Sequence, residues 1–248
     1  MSETDAEDQL VRLQKLLAQS GVASRRKCEE LMLSGQVEVD GEVVTRLGTR
    51  VDPRKAIIRV AGERLPPVSE HVYLVLNKPS GVVSTMSDPQ QRPTLSDFVS
   101  DRPERLFHVG RLDTETEGLI LLTNDGDFAQ AMAHPSYEVE KTYVAEVRGR
   151  ANRSTIKALL AGVEVDQRRV DVRRARIRVQ ATERSVVELV VHEGRNRIVR
   201  RLLAQLGLPV VRLTRTAIGP VRIAGLRTGE LRELSPSETG ALLDAAGI

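Results

Sequence analysis

The sequence predicts an α+β protein in two domains, a small helix-and-hairpin domain followed by a larger mixed, mostly antiparallel sheet. Three observations carry this reading. Leucines at helical spacing from Leu10 give way to an alternating hairpin before Val60. A stretch from Ala61 to His71, with Glu63, Pro66, Pro67 and Ser69, then has neither helical nor strand period. Beyond Val72 strands outnumber helices and are separated by turns and isolated helices rather than regular crossovers. The expected boundaries are a disordered tail over residues 1–9, a first domain over 10–66, a linker over 67–71 and a second domain over 72–248.

In chain order, Leu10, Leu13, Leu16 and Leu17 share one helical face and Gly21 stops the helix. Ser24 is a suitable N-cap for a second helix that Gly35 ends. The first turn of that helix holds Arg25, Arg26 and Lys27, the wrong sign for a helix N-terminus. An external anion would resolve the conflict, and a solvated basic turn is the alternative. Val37 to Val44 alternates around Asp40-Gly41 as a hairpin, and Ala56 to Val60 is a further strand. In the second domain, strands are predicted at Val72–Leu76, Leu119–Leu122, Tyr143–Val147, Ser185–Val191 and Val210–Arg215. Helices are predicted near Leu95–Val99, over Asp127–Ala133 and Arg153–Leu160, and after Asn196. In the last of these, Ile198, Val199, Leu202, Leu203 and Leu206 form an apolar stripe, and Arg197, Arg200 and Arg201 lie opposite at spacings of three and four. Ser235-Pro236-Ser237-Glu238 is a capping box that opens a C-terminal helix.

Composition narrows the function. With 40% hydrophobic and 29% charged residues in 248, the chain can bury a core. Aromatic residues make up only 2%, which excludes a broad platform for stacking many bases. The net charge is +3, carried by 31 arginines against six lysines, and 19 of the arginines lie between Arg148 and Arg232. Forked guanidiniums suit phosphate, although the run from Arg168 to Arg178 is equally consistent with a solvated surface. There is no apolar run of about 18 residues, and the acidic start (Glu3, Asp5, Glu7, Asp8) is unlike a leader, so a cytoplasmic protein without membrane contact is expected. Cys28 is alone and the four histidines are scattered, so no metal is expected.

The stretch from Gly110 to Gly126, GRLDTETEGLILLTNDG, places an arginine and a carboxylate at the entrance of a buried strand. It closely resembles the central motif of the RsuA-type ribosomal RNA pseudouridine synthases, in which the aspartate of GRLD is catalytic; Asp113 holds that position. Three further stretches agree: NKPSG at Asn77–Gly81, EKTYVAEV around Tyr143, and EGRNRIVRRLL before VVRLTRTAIGPV. The match departs at Ile198, where relatives often have Gln. Residues Val11 to Val60 resemble the S-four-type RNA-binding domain, named after the fourth small-subunit ribosomal protein.

The resemblance implies isomerisation of uridine in ribosomal RNA, preferentially of the large subunit, without a cofactor. Asp113 would be catalytic, Tyr143 would lie against the target base, and Arg200 would pair with Asp113 and keep it ionised. RNA contacts would come from Arg12, Lys15, Arg25, Arg26 and Lys27 in the first domain and from Lys78, Arg111, Arg195, Arg197 and Arg201 in the second. The expected partner is ribosomal RNA or a ribosome assembly intermediate, bound by a monomer. A non-catalytic RNA-binding assembly factor and a carboxylate-dependent hydrolase are the rivals; the ordered motifs argue against the first, and the lack of a second acid at a recognisable catalytic spacing argues against the other. The spatial expectation is that Asp113, Tyr143 and Arg200 meet in one cleft.

Overall fold

The computed structural model describes residues 10–65 and 70–248. The expected tail over residues 1–9 and residues 67–69 of the expected linker lie outside them. The chain divides into two compact units, one ending at His71 and the other beginning at Val72.

In the first unit the order is β1 (Val11–Arg12), α1 (Leu13–Gln19), α2 (Arg25–Leu33), β2 (Val37–Val39), β3 (Glu42–Val43), β4 (Arg50–Val51), β5 (Ile58–Val60) and β6 (Glu63–Arg64). Ser24 caps α2, its hydroxyl accepting from the Lys27 amide at 3.2 Å. Leu13, Leu16 and Leu17 of α1 close on Cys28 and Met32 of α2 and on Val37, Val51 and Ile58. The structure corrects two expectations. The first helix starts at Leu13 rather than Leu10, because Val11 and Arg12 are drawn into antiparallel pairing with β4. The stretch after Val60 is not wholly irregular: Ala61 and Gly62 have φ of 50° and 85°, the pair of positive values a two-residue hairpin turn needs. Glu63–Arg64 therefore returns antiparallel onto β5.

The second unit is built on a mixed sheet. Its strands are β7 (Tyr73–Lys78), β8 (Phe107–Val109), β9 (Thr116–Thr123), β10 (Lys141–Arg148), β13 (Arg174–Gln180), β14 (Arg184–Val191), β15 (Val210–Ile218), β16 (Val221–Arg222) and β17 (Leu231–Glu233). They run in the order β13-β14-β10-β15-β9-β7-β17, with β8 also on β9 and β16 on β15. A small separate hairpin is formed by β11 (Val163–Val165) and β12 (Arg168–Val170). The helices are α3 (Gly126–Ala133), α4 (Arg153–Ala161), α5 (Ile198–Gln205) and α6 (Pro236–Ala246). Pairing is antiparallel except between β9 and β15.

β9 explains its own sequence. Ile120 and Leu122 enter one core with Leu74, Leu76, Leu202 and Leu203, while Leu119 and Leu121 enter another with Val75, Phe128, Met132 and Leu242. A strand covered on both faces has no solvent side, so its run is apolar throughout rather than alternating. Burial of each such leucine contributes roughly 1.5–3 kcal/mol. Gly118 sits where β9 meets β15, at a φ of 108°, and a Cβ there would come within 2.8 Å of the Arg215 amide nitrogen and closer still to its carbonyl oxygen. Only glycine lets these two backbones approach so closely.

The arginine-rich stretch from Arg168 to Arg178 forms a polar surface in which Arg174 pairs with Glu140, and Arg176 and Arg178 share Glu188. The solvated alternative thus describes these three side chains.

Candidate active site

The loop from Gly110 to Glu115 joins β8 to β9 and is tied down along its length. The Ser84 hydroxyl donates to the Leu112 carbonyl at 2.6 Å and accepts from the Leu112 amide at 3.1 Å. The Gly81 amide donates to the Thr114 carbonyl at 2.8 Å, and the Thr116 amide to the Asp113 carbonyl at 2.9 Å. Lys78 Nζ adds bonds to the carbonyls of Pro79 and Val82, both 2.8 Å, and of Thr114, 3.4 Å. The backbone on both sides of Asp113 is therefore fixed, while its side chain remains half-exposed. Among the described residues no side chain forms an ion pair or hydrogen bond with that carboxylate.

Lys78 is fully buried, and this corrects its assignment as an RNA contact. Its ammonium cannot reach a phosphate because it is committed to three backbone carbonyls. Burial pushes it down to about 8, against the pull of Glu117 and Asp113 and with a further push from Arg215. Its work is to hold the NKPSG turn against the loop that carries Asp113.

A cleft of about 530 Å³ opens over this loop. Asp113 and Tyr143 both line it, as do Arg111, Arg195 and Arg197. Tyr143 reaches it from β10, its ring almost fully buried. Arg200 does not line the cleft, and the expected ion pair with Asp113 is absent among the described residues. Its Nε lies 3.6 Å from Glu115 Oε2, and its Nη2 donates to the Glu115 carbonyl and the Thr116 hydroxyl, both at 3.4 Å. The reason is Glu115, two residues beyond Asp113. Arg197 grips its carboxylate with a fork of 2.9 and 3.1 Å and, with Arg200 behind, holds it below the ordinary carboxylate range. Arg200 thus backs the loop rather than facing its aspartate.

The other predicted contacts fall into two sets. Arg111 is exposed at the cleft, and Arg195 lines it while bound to Glu193 at 2.5 and 3.2 Å. Arg201 pairs with Asp166 away from the cleft lining. In the first unit Arg12, Arg25, Arg26 and Lys27 are exposed and Lys15 is half-buried; Lys27 also meets Glu30 at 2.7 Å. No acidic residue occupies the first turn of α2.

Sequence reasoning missed two cleft residues, Lys141 and Arg215, both almost completely buried. The signal was available for Lys141, which stands two residues before Tyr143 and so on the same face of the strand. Arg215 follows the same alternation with Leu213 on β15, but an arginine in an arginine-rich chain gives no cue to burial.

Comparison with known proteins bears on both units. Residues 72–205 match the family model described as RNA pseudouridylate synthase, and residues 11–57 match the S4 domain. An RNA pseudouridine synthase of Mycobacterium tuberculosis, itself described as uncharacterized, is 48% identical over 99% of this chain and 98% of its own length. The ribosomal large subunit pseudouridine synthase B of Bacillus subtilis is 42% identical over 93% of this chain and 95% of its own. Among solved structures, one described as a pseudouridylate synthase superposes with a TM-score of 0.66 at 30% identity, covering 94% of this chain and 99% of the other.

Proposed function

We propose that this chain, which belongs to the RNA pseudouridylate synthase family, converts a uridine of large-subunit ribosomal RNA to pseudouridine through Asp113. It is an isomerase acting on RNA. The reaction breaks the bond from N1 of the base to C1′ of the sugar, turns the base, joins C5 to C1′ and releases the C5 proton while N1 gains one. Atoms balance without an oxidant or reductant. The target leaves its stack for the cleft at a cost of a few kcal/mol. There Asp113 starts glycosidic cleavage as the anionic nucleophile, and the bond it forms is broken again before product leaves, so that the carboxylate is regenerated. Tyr143 bounds the detached base and assists removal of the C5 proton. Arg111, Arg195 and Arg197 meet the flanking backbone.

The observation that carries this reading is a loop fixed by Ser84 and Lys78 that presents Asp113, without a side-chain partner among the described residues, to the same cleft as Tyr143. The choice of large-subunit RNA rests on the Bacillus relative's name. The protein works as a cytoplasmic monomer on ribosomal RNA or an assembly intermediate; no described helix is long and apolar enough to cross a membrane. Mapping pseudouridine in ribosomal RNA from a deletion strain tests the proposal. One large-subunit position should lose its modification, and an unchanged map in all ribosomal RNA would count against it.

Two predictions follow from the parts assigned to binding and to positioning. Removal of residues 1–66 should weaken affinity for ribosomal RNA about 10- to 100-fold and flatten its salt dependence, because the cations of α1 and α2 no longer neutralise phosphates. An unchanged slope in filter binding would remove the docking role. Arg200→Met should lower kcat about 10- to 100-fold by loosening the loop at Glu115 and Thr116, with affinity altered less than about threefold. Equal losses in kcat and affinity would make Arg200 a phosphate contact instead.

A further inference from the structure

Lys141 and Arg215 carry charges that the reaction described above does not use. They stand on adjacent strands at the base of the cleft, with Tyr143 opposite Arg215 and Lys141 opposite Ile218 in the β10–β15 register. Lys141 is 7% exposed and Arg215 4%, yet both line the cleft that holds Asp113. Arg215 Nε donates to the Leu119 carbonyl at 2.7 Å, and its Nη2 is buried with no partner among the described residues. Neither cation forms an ion pair with a carboxylate among those residues. The other arginine of β15, Arg212, is neutralised by Glu117. Two buried like charges left side by side are unfavourable, and burial together with Arg215 accordingly pushes the Lys141 ammonium down to about 8.

We propose that Lys141 and Arg215 form an anion subsite in the cleft that receives a backbone phosphodiester of the bound RNA. The proposal rests on the reading of this cleft as the RNA-modifying site. A neutral uracil could offer a carbonyl to Arg215 Nη2, but it would leave both charges uncompensated. A phosphodiester brings a full negative charge and two acceptor oxygens, which a guanidinium edge and an ammonium can share.

The test is filter binding of the full chain to a large-subunit ribosomal RNA transcript across a salt series, in an Asp113→Asn background so that turnover does not intervene. Lys141→Met and Lys141→Gln should each weaken binding about tenfold near 0.15 M salt and reduce the slope of log affinity against log salt by about 0.7–0.9, the signature of one phosphate. Lys141→Arg should restore both. Two neutral variants guard against the failure of one to fold, and Arg215 is left intact because its Nε bond to Leu119 is structural. An unchanged slope in the folded neutral variants overturns the subsite. If kcat in the Asp113 enzyme fell with that slope unchanged, Lys141 would belong to the base and not to a phosphate. Should the native protein make no pseudouridine while the slope loss is observed, the isomerase assignment fails and the anion subsite stands.

Discussion

Asp113→Asn should reduce pseudouridine formation by about 10⁴-fold or more while RNA binding and folding persist. The side chain makes no ion pair or hydrogen bond with another side chain among the described residues, so the amide leaves no charged partner stranded and no contact to rebuild. The loop around it is held by Ser84, Lys78 and Gly81 through backbone atoms of Leu112 and Thr114, none of which the substitution touches. What is lost is the anionic oxygen that an electron-poor centre requires. Neighbouring acids cannot take over. Glu115 is gripped by Arg197, and Glu117 is held by Arg212 at 2.7 Å. The measurement is conversion of uridine in a ribosomal RNA transcript, with filter binding as the control. Substantial conversion by the asparagine variant would overturn the assignment of Asp113 and the chemistry built on it.

The contrast between what the chain disclosed and what it withheld is instructive at particular residues. The β9 strand was legible because a buried strand must be apolar on both faces, and Leu119–Leu122 with turn residues at each end has no other economical reading. The caps at Ser24 and Ser235 were legible for the same local reason: a hydroxyl three residues before an amide it can accept from. Partner choice was not. Arg200 was expected on Asp113, and its guanidinium lies on Glu115 and Thr116, because Glu115, two residues beyond Asp113, takes both Arg197 and Arg200. Lys78 looked like a phosphate contact in sequence, since nothing local says that three carbonyls of two different turns will converge on its ammonium. Arg215 was hidden similarly, as its burial depends on which strands become neighbours across 74 residues of chain (Lys141 to Arg215), whereas the position of Lys141 could be read from its alternation with Tyr143.

Gly118→Ala should cost about 3–5 kcal/mol of stability in the second unit, among the largest effects of a single methyl group. Two penalties add. At a φ of 108° an L side chain is strained wherever it stands, a cost of about 1–3 kcal/mol. The new Cβ would also overlap the Arg215 backbone, which is rigid because Arg215 pairs with Gly118 on one side and Tyr143 on the other. Relief requires β9 and β15 to separate, and that pairing joins the strand leading out of the Asp113 loop to the centre of the sheet. The expected fall in Tm is about 6–20 °C for a chain of this size. Gly225→Ala separates the two penalties, since Gly225 has a φ of 82° but open space where its Cβ would be. It should lose only the strain term, and its Tm should fall by less than half as much. Because Arg215 moves with β15, the Gly118 variant should lose turnover even at temperatures where it remains folded. Equal Tm changes for the two alanine variants would show that backbone strain alone, and not the close approach of β9 to β15, makes glycine necessary at position 118.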